Sequence, residues 1–231
     1  MNASFHTFPT AEAAARALSK AVAQDLRAAL AAKGNAVLAV SGGRSPLAFF
    51  RALSQEDLDW KNVAVTLADE RLVPTAHADS NTRLVRENLL QNRATEAQWI
   101  ALVADGDTVP PPAEAVAAAL RLYRRADVLV LGMGGDGHTA SLFPDAPQLS
   151  DGLSPDYPQP LLHVSPPAAP HERISLALAE IARVPRVYLA IAGADKLAVY
   201  RRAEAEASAA LPVGLAAAAA PSFAVYYAAD V

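Results

Sequence analysis

Short runs of apolar, often β-branched residues alternate along this chain with longer segments whose apolar positions recur at helical spacing. The apolar runs lie at 35–40, 63–67, 127–131, 186–191 and 223–227, with a weaker one at 99–103. Runs of this length are typical of strands buried on both faces of a parallel sheet. Helical segments fall between them, at 10–33, 46–53, 80–90, 113–123, 194–207 and an alanine-rich stretch ending at 220. The alternation predicts an α/β fold: a doubly wound, mainly parallel sheet with helices on both faces.

Local signals place the ends of several elements. Thr10 is a suitable N-cap for the first helix, and Gly34 supplies its C-terminal stop. The segment 139–143 is predicted to form a short helical turn that ends at Pro144. The proline-rich connection 148–170 is predicted to contain a short strand near 161–164. The sequence does not decide whether this connection forms a lid. Residues 172–178 alternate between polar and apolar before a helix that runs through 183.

Length and composition restrict the class of protein. The chain has 231 residues, of which 52% are hydrophobic, so it can form one domain over 1–231 with a substantial core. No apolar run approaches the roughly 18–20 residues of a membrane span, and the N-terminus lacks the features of a signal peptide, which predicts a cytoplasmic protein without membrane contact. The net charge is −4 and no basic stripe is present, which argues against a nucleic-acid partner. The chain has no cysteine, which excludes disulfides, thiolate zinc sites and cysteine nucleophiles. Oligomeric state is not determined.

The first candidate site follows the strand at 35–40. Gly42, Gly43, Arg44 and Ser45 lie between that strand and a helix that begins near Pro46. Free backbone amides and the helix dipole make such a turn a site for an anion. No Gly-Lys-Ser/Thr follows, so the pattern favours a single phosphoryl group over a nucleoside triphosphate. A tight structural turn is the alternative interpretation.

Three consecutive charges follow the strand at 63–67. Asp69, Glu70 and Arg71 lie at the carboxyl end of that strand, the edge of an open α/β sheet where ligands bind. A local ion pair that only orders the loop is the alternative. Ser80 or Asn81 is expected to cap the next helix.

The strand at 127–131 runs into a glycine-rich turn that contains a carboxylate and an imidazole. Asp136 and His138 are two residues apart within it. The spacing of Gly132, Gly134 and Gly137 satisfies the dinucleotide fingerprint, but the acidic residue expected about 20 positions later is missing. The region that should carry it, 153–160, is a proline-rich loop. NAD binding is therefore disfavoured.

His77 and Lys196 are two further candidates for ligand contacts. A metal site built from His77, His138 and a carboxylate has no supporting HExxH-type spacing, so no metal is expected. Lys196 lies in the first turn of a helix, where its charge opposes the helix dipole. It either extends into solvent or pairs with an anion that shares the helix end.

Four ordered segments together resemble the 6-phosphogluconolactonases of the glucosamine-6-phosphate isomerase/6-phosphogluconolactonase family. They are SGGRSP at 41–46, DERLVP at 69–74 with His77 and the pair at 80–81, GMGGDGHTASLFP at 132–144, and RIS at 173–175 with GADK at 193–196. The resemblance covers about residues 35–205. Arg44-Ser45 replaces the commoner serine-threonine, and Tyr226 or Tyr227 stands where a tryptophan is usual.

The resemblance implies a small-molecule sugar phosphate lactone as substrate, without a metal or organic cofactor. It implies His138 as general base and acid, Asp136 as its orienting carboxylate or as an organiser of the loop, and Arg71 as the group that stabilises the oxyanion. Phosphate binding falls to a larger set: Gly42, Gly43, Ser45, Arg173 and Lys196, with Arg44 as an addition. Asp69 has a positional role.

Other functions stay open. Glucosamine-6-phosphate deaminases share the SGG loop and the GxGxDGH turn, but they place a carboxylate after that turn. This chain has Ser141-Leu-Phe-Pro144 there, and Arg71 where those enzymes usually have tyrosine. Both differences favour the lactonase. A non-catalytic sugar-phosphate-binding protein is the remaining alternative.

Overall fold

The computed structural model describes residues 3–43, 45–167 and 169–230. The strands are β1 (Ser4–Phe8), β2 (Ala36–Val40), β3 (Val63–Leu67), β4 (Asp69–Arg71), β5 (Gln98–Trp99), β6 (Val128–Leu131), β7 (Leu161–Val164), β8 (Arg173–Leu176), β9 (Arg186–Ala192) and β10 (Phe223–Ala228). The helices are α1 (Ala11–Lys33), α2 (Leu47–Leu53), α3 (Asn81–Asn88), α4 (Pro112–Leu122), α5 (Leu149–Leu153), α6 (Leu178–Ile181), α7 (Ala194–Ala205) and α8 (Pro212–Ala219).

The main sheet is parallel, with the strand order β1-β10-β9-β6-β2-β3-β5. From β2 the chain first moves outward through β3 and β5, then returns to the other side of β2 with β6 and continues through β9 and β10. The winding direction therefore reverses between β2 and β6. The loops that follow β2 and β6 therefore run in opposite directions and leave a crevice at the carboxyl ends of these two strands. Ligands bind in such crevices in open α/β sheets. The predicted doubly wound, mainly parallel fold is confirmed.

A second, antiparallel sheet adjoins the carboxyl end of β3, with the order β4-β8-β7. Its register sets Asp69 opposite Ser175 and Arg71 opposite Arg173. The charged segment after β3 is thus a strand rather than a loop. Sequence patterning indicated strands near β7 and β8 but not that they leave the main sheet.

The long helix α1 begins and ends as its sequence predicts. Thr10 Oγ1 accepts a hydrogen bond from Ala13 N at 3.2 Å, and Gly34 closes the helix in the left-handed region at φ 76°. The buried face of the helix includes Leu18, Val22 and Leu26, and α1 packs on α2, β10, β2 and β6. Among the described residues, no helix is long and apolar enough to cross a membrane.

Some local predictions were wrong. The segment 139–143 is not helical: Thr139 and Leu142 form an isolated bridge, and Ala140 has a positive φ of 48°. The strand expected at 99–103 is limited to the two residues of β5. The pattern also missed β1, a sheet-edge strand with mixed burial, and the short helix α5 inside the proline-rich connection.

Candidate active site

A cavity of about 260 Å³ opens where the winding of the main sheet reverses. Its walls come from the ends of β2, β6 and β9, from the paired strands β4 and β8, and from α7. The lining residues are Ser41, Gly42, Gly43, Ser45, Pro46, Asp69, Arg71, Asn81, Val130, Leu131, Gly132, Met133, Gly134, His138, Ala140, Arg173, Ala190 and Lys196. The cavity therefore brings together eight of the ten residues predicted for the site. Asp136 stands behind His138, and Arg44 lies outside the described residues.

The glycine turn after β6 positions His138. His138 Nδ1 lies 2.6 Å from Asp136 Oδ1, and the same carboxylate oxygen accepts a hydrogen bond from His138 N at 3.1 Å. A Cβ atom at Gly134 would lie 2.2 Å from the imidazole and 2.4 Å from Asp136 Oδ1, so any other residue there would displace one of these side chains. The two functions considered for Asp136, orienting the ring and organising the loop, are thus both geometrically available.

An aromatic ring supports the imidazole from the far end of the same segment. The rings of His138 and Phe143 have centroids 4.1 Å apart, and the guanidinium of Arg173 lies 5.2 Å from the centroid of Phe143. Phe143 is buried and so has little freedom to move. It therefore fixes the spacing between the imidazole and a cationic side chain that lines the same cavity.

The loop after β2 forms another wall. Ser41 N donates to Val130 O at 2.8 Å, which ties this loop to β6 across the reversal point. A Cβ atom at Gly42 would lie 1.9 Å from Asn81 Oδ1, so the backbone here approaches the start of α3 closely. Asn81 Nδ2 donates to Asp69 O at 2.8 Å. The sequence indicates Asn81 only as a possible helix cap, and Ser80 fills that position. Asn81 lies at the cavity because of its close contact with Gly42.

Two arginines face the cavity from paired strands. Arg71 and Arg173 are direct cross-strand partners. Arg71 Nη1 donates to Asp79 O at 2.5 Å, and Arg173 Nη2 donates to Pro170 O at 3.2 Å. Burial lowers the pKa of Arg173, and the charge of Arg71 acts in the same direction, while Asp69 opposes it. Two neighbouring cations at a partly buried position make a favourable site for an anion.

Asp69 is held in place by neutral and cationic neighbours. Its Oδ2 accepts a hydrogen bond from Ser141 Oγ at 2.6 Å and lies 3.9 Å from Arg173 Nη1. The side chain is buried, as is Ser175, whose Oγ accepts from Ser141 N at 3.0 Å. These contacts tie the glycine-turn segment to the β4–β8 edge.

Glu70 has a structural function at the start of α3. It is fully buried and accepts hydrogen bonds from Arg71 N, Asn81 N and Thr82 N at 2.6–2.8 Å. Burial raises its pKa, and these hydrogen bonds oppose the rise. A carboxylate at this position satisfies amides that the helix leaves unpaired.

Lys196 reaches the cavity from the first turn of α7. Its Nζ donates to Met133 O at 2.5 Å, which points the ammonium group toward the glycine turn rather than into solvent. Burial lowers the pKa of Lys196, and the nearby Asp136 partly offsets this effect.

Polar atoms without a partner are concentrated at this cavity. Among the described residues, four cavity-lining side chains have a buried polar atom with no hydrogen-bond partner: Ser41 Oγ, Arg71 Nε, Asn81 Oδ1 and Arg173 Nε. Buried polar atoms are rarely left unpaired, so these four atoms are available to a polar ligand or to water in the cavity. The cavity thus combines an imidazole paired with a carboxylate, three cationic side chains and free hydrogen-bonding capacity.

Comparison with known proteins identifies the family to which the chain belongs. Residues 9–224 match the family described as glucosamine-6-phosphate isomerases/6-phosphogluconolactonase. The chain is 54% identical over 213 residues to a 6-phosphogluconolactonase of Neisseria meningitidis, covering 91% of this chain and 92% of that protein. It is 48% identical over 190 residues to one of Pseudomonas aeruginosa, covering 82% and 80%. A 6-phosphogluconolactonase crystal structure from Shewanella baltica superposes with a TM-score of 0.90 at 37% identity, covering 99% and 98%. The chain therefore belongs to the glucosamine-6-phosphate isomerase/6-phosphogluconolactonase family.

Proposed function

We propose that this protein is a 6-phosphogluconolactonase, which hydrolyses 6-phospho-D-glucono-1,5-lactone to 6-phospho-D-gluconate in the oxidative pentose phosphate pathway. The observation that carries the proposal is the combination within one cavity of the His138–Asp136 pair with Arg71, Arg173 and Lys196. Lactone hydrolysis needs a base for water and a donor for the developing oxyanion, and the phosphate of the substrate needs cations. The similarity to lactonases over most of the chain supports the same conclusion.

His138 supplies the proton transfers. Its Nδ1 is the nitrogen that faces the Asp136 carboxylate, so we assign the proton to Nδ1 and the free lone pair to Nε2. Nε2 then removes a proton from water as the water oxygen attacks the lactone carbonyl carbon. The protonated imidazole returns that proton to the ring oxygen as the ester bond breaks. Ring opening yields a carboxylic acid, which releases one proton at neutral pH.

The cationic groups divide between the oxyanion and the phosphate. Arg71 keeps Nε unpaired among the described residues while its Nη1 is fixed by Asp79 O, so it can donate to the tetrahedral oxyanion without first losing an internal partner. Arg173 and Lys196, with the backbone at Gly42, Gly43 and Ser45, bind the phosphate. Asp69, bound to Ser141, holds the cavity wall in position.

The deaminase alternative is less consistent with these contacts. Glucosamine-6-phosphate conversion requires a base that abstracts a proton from carbon. Asp69, the residue that resembles that base, has one oxygen engaged by Ser141 Oγ at 2.6 Å. Segment 141–144 carries no carboxylate that could assist ring opening. Both features favour the lactonase.

The deciding experiment measures proton release from freshly generated 6-phosphogluconolactone in a pH-stat, against the spontaneous rate and with EDTA present. Glucosamine 6-phosphate is assayed in parallel for ammonia. We expect rapid lactone opening and no ammonia. The matched control is His138→Ala, which should lose about 10²–10⁴-fold in kcat yet still bind 6-phosphogluconate in a calorimetric titration.

The other outcomes are distinct. Ammonia without lactone opening would establish the deaminase. If the protein neither opened the lactone nor released ammonia but still bound 6-phosphogluconate, it would be a non-catalytic sugar-phosphate-binding protein. The expected cytoplasmic location and the single-domain organisation over 1–231 stay predictions, which fractionation and limited proteolysis test.

A further inference from the structure

Three side chains that the proposed reaction does not use meet at the edge of the β4–β8 pair. His77 and Asp79 lie between β4 and α3, and His171 lies just before β8. His171 Nε2 is 3.0 Å from Asp79 Oδ2, and His77 Nδ1 is 3.9 Å from the same oxygen. One ligand atom from each residue lies within 4.8 Å of the other two. Residues 92 positions apart in the chain therefore place two imidazoles around one carboxylate oxygen.

The distances suit a small divalent ion. Ligands bound tetrahedrally at about 2.0–2.1 Å lie about 3.3–3.4 Å from one another. The two measured separations, 3.0 Å and 3.9 Å, fall on either side of that value. Two imidazoles and a carboxylate are a donor set typical of Zn²⁺, and a water molecule would complete the tetrahedron.

The arrangement of the two imidazoles is compatible with a metal ion. His77 Nδ1 accepts a hydrogen bond from Asp79 N at 3.1 Å, so this nitrogen presents a lone pair, which a metal ion would take over from the amide. The imidazoles of His77 and His171 meet edge to face, with centroids 5.5 Å apart, so neither ring blocks the other.

The backbone of His171 adds an independent observation. Its φ is +71°, in the left-handed region that few residues other than glycine adopt, although histidine does so more often than most. This conformation accompanies the approach of the imidazole to Asp79. A hydrogen-bonded pair between an exposed carboxylate and a half-buried imidazole at the protein surface contributes little to stability, so the pair alone does not account for this backbone conformation. Strained backbone of this kind is concentrated at binding sites.

We propose that His77, Asp79 and His171 form a Zn²⁺-binding site separate from the His138–Asp136 pair. The ion joins the segment after β4 to the segment before β8. Asp79 O accepts the hydrogen bond from Arg71 Nη1, and His171 precedes Arg173 by two residues, so the ion holds the two segments that carry the cavity arginines. It takes no part in proton transfer, and EDTA-resistant lactone opening is compatible with it.

The test is calorimetric titration of ZnCl₂ into chelator-treated protein at pH 7.5. We expect one ion per chain for the unmodified protein. His171→Gln and Asp79→Asn should each weaken binding by at least about tenfold, since loss of a direct ligand costs no less than loss of a supporting contact. Zn²⁺ should raise the melting temperature of the unmodified protein but not that of His171→Gln. Circular dichroism confirms that each variant is folded.

Two control variants make the assignment specific. His163→Gln removes a histidine that also pairs with a carboxylate, Glu172, and it should leave Zn²⁺ affinity unchanged. His138→Ala should likewise retain it. Absence of binding to the unmodified protein would overturn the proposal, as would unchanged affinity in both His171→Gln and His77→Gln. Loss of binding only in His138→Ala would place the ion at the other imidazole and would also overturn it.

Discussion

His138 Nδ1 lies 2.6 Å from Oδ1 of Asp136, although only one residue separates them in the chain. The same carboxylate oxygen accepts the His138 backbone amide at 3.1 Å, so one oxygen fixes both the ring and the backbone of the histidine. Asparagine could still accept the backbone amide but would not stabilise a protonated imidazole as a carboxylate does. The two contributions of Asp136 can therefore be separated by substitution.

The first prediction concerns this pair. Asp136→Asn should lower kcat, by less than the loss of about 10²–10⁴-fold expected for His138→Ala, because the imidazole remains but is less well supported as a cation. In the His138→Ala background the same change should cost almost nothing further, since Asp136 acts through the histidine. Steady-state lactone hydrolysis of both single variants and the double variant measures this. Multiplicative losses would contradict the coupling and assign Asp136 an independent function.

The second prediction is a pH dependence of ligand binding. Burial lowers the pKa of Lys196 from its ordinary value of 10.5, so in the free protein this lysine loses its proton at lower pH than an exposed lysine. Because the charged form binds phosphate, affinity for 6-phosphogluconate should fall as pH rises, beginning below pH 10.5. Calorimetric titrations from pH 7 toward alkaline pH follow the fall.

Lys196→Arg is the matched control, because arginine stays charged throughout the range. It should remove the alkaline fall, whatever its affinity at neutral pH. Lys196→Ala should raise KM far more than it lowers kcat. An alkaline fall of the same shape in Lys196→Arg would show that another group titrates.

The third prediction concerns stability rather than catalysis. Glu70→Gln should lower the free energy of unfolding by about 1–3 kcal/mol, since the amide group would face backbone donors that the carboxylate now satisfies. Urea denaturation at neutral pH measures the change. Glu87→Gln is the control on the same helix: Glu87 pairs with Arg83 at the exposed surface, and its loss should cost no more than about 1 kcal/mol. Equal losses of unfolding free energy in the two variants would show that Glu70 does not stabilise the start of α3 more than a surface ion pair does.

The sequence predicted the elements that depend on local signals. Buried strands are recognisable in the sequence as apolar runs. Helix α1 has both a threonine N-cap and a glycine stop, so its bounds could be predicted directly. The loop after β2, the charged segment after β3 and the glycine turn after β6 could also be predicted as a site, because parallel strands present their carboxyl ends at one edge of the sheet. Arg173 begins the antiparallel strand β8, and only the family resemblance indicated it.

The structural features that could not be predicted from the sequence depend on contacts between residues that are distant in the chain. Strand β4 is only three residues long, and its pairing with β8 joins segments about a hundred positions apart. The segment 139–143 is not the helical turn that its sequence predicts, because buried tertiary contacts, such as that of Ser141 Oγ with Asp69, override the local helical pattern. Asn81 enters the cavity only because Gly42 leaves room for its side chain. Such relationships have no periodicity by which a pattern could predict them.

The last prediction tests whether the histidine needs its close backbone contact. Gly134→Ala should lower kcat strongly, because the added Cβ would lie 2.2 Å from the imidazole of His138 and must displace it. Gly135→Ala is the matched control: nothing lies within 4 Å of its Cβ position, so activity should be nearly unchanged. Lactone hydrolysis by both variants, with melting temperatures to confirm folding, measures the difference. If the two alanines had equal effects on kcat, flexibility of the turn rather than contact with His138 would control the reaction. A selective loss at Gly134, with 6-phosphogluconate binding retained, would instead locate the requirement at the imidazole, since the phosphate-binding groups lie on other elements.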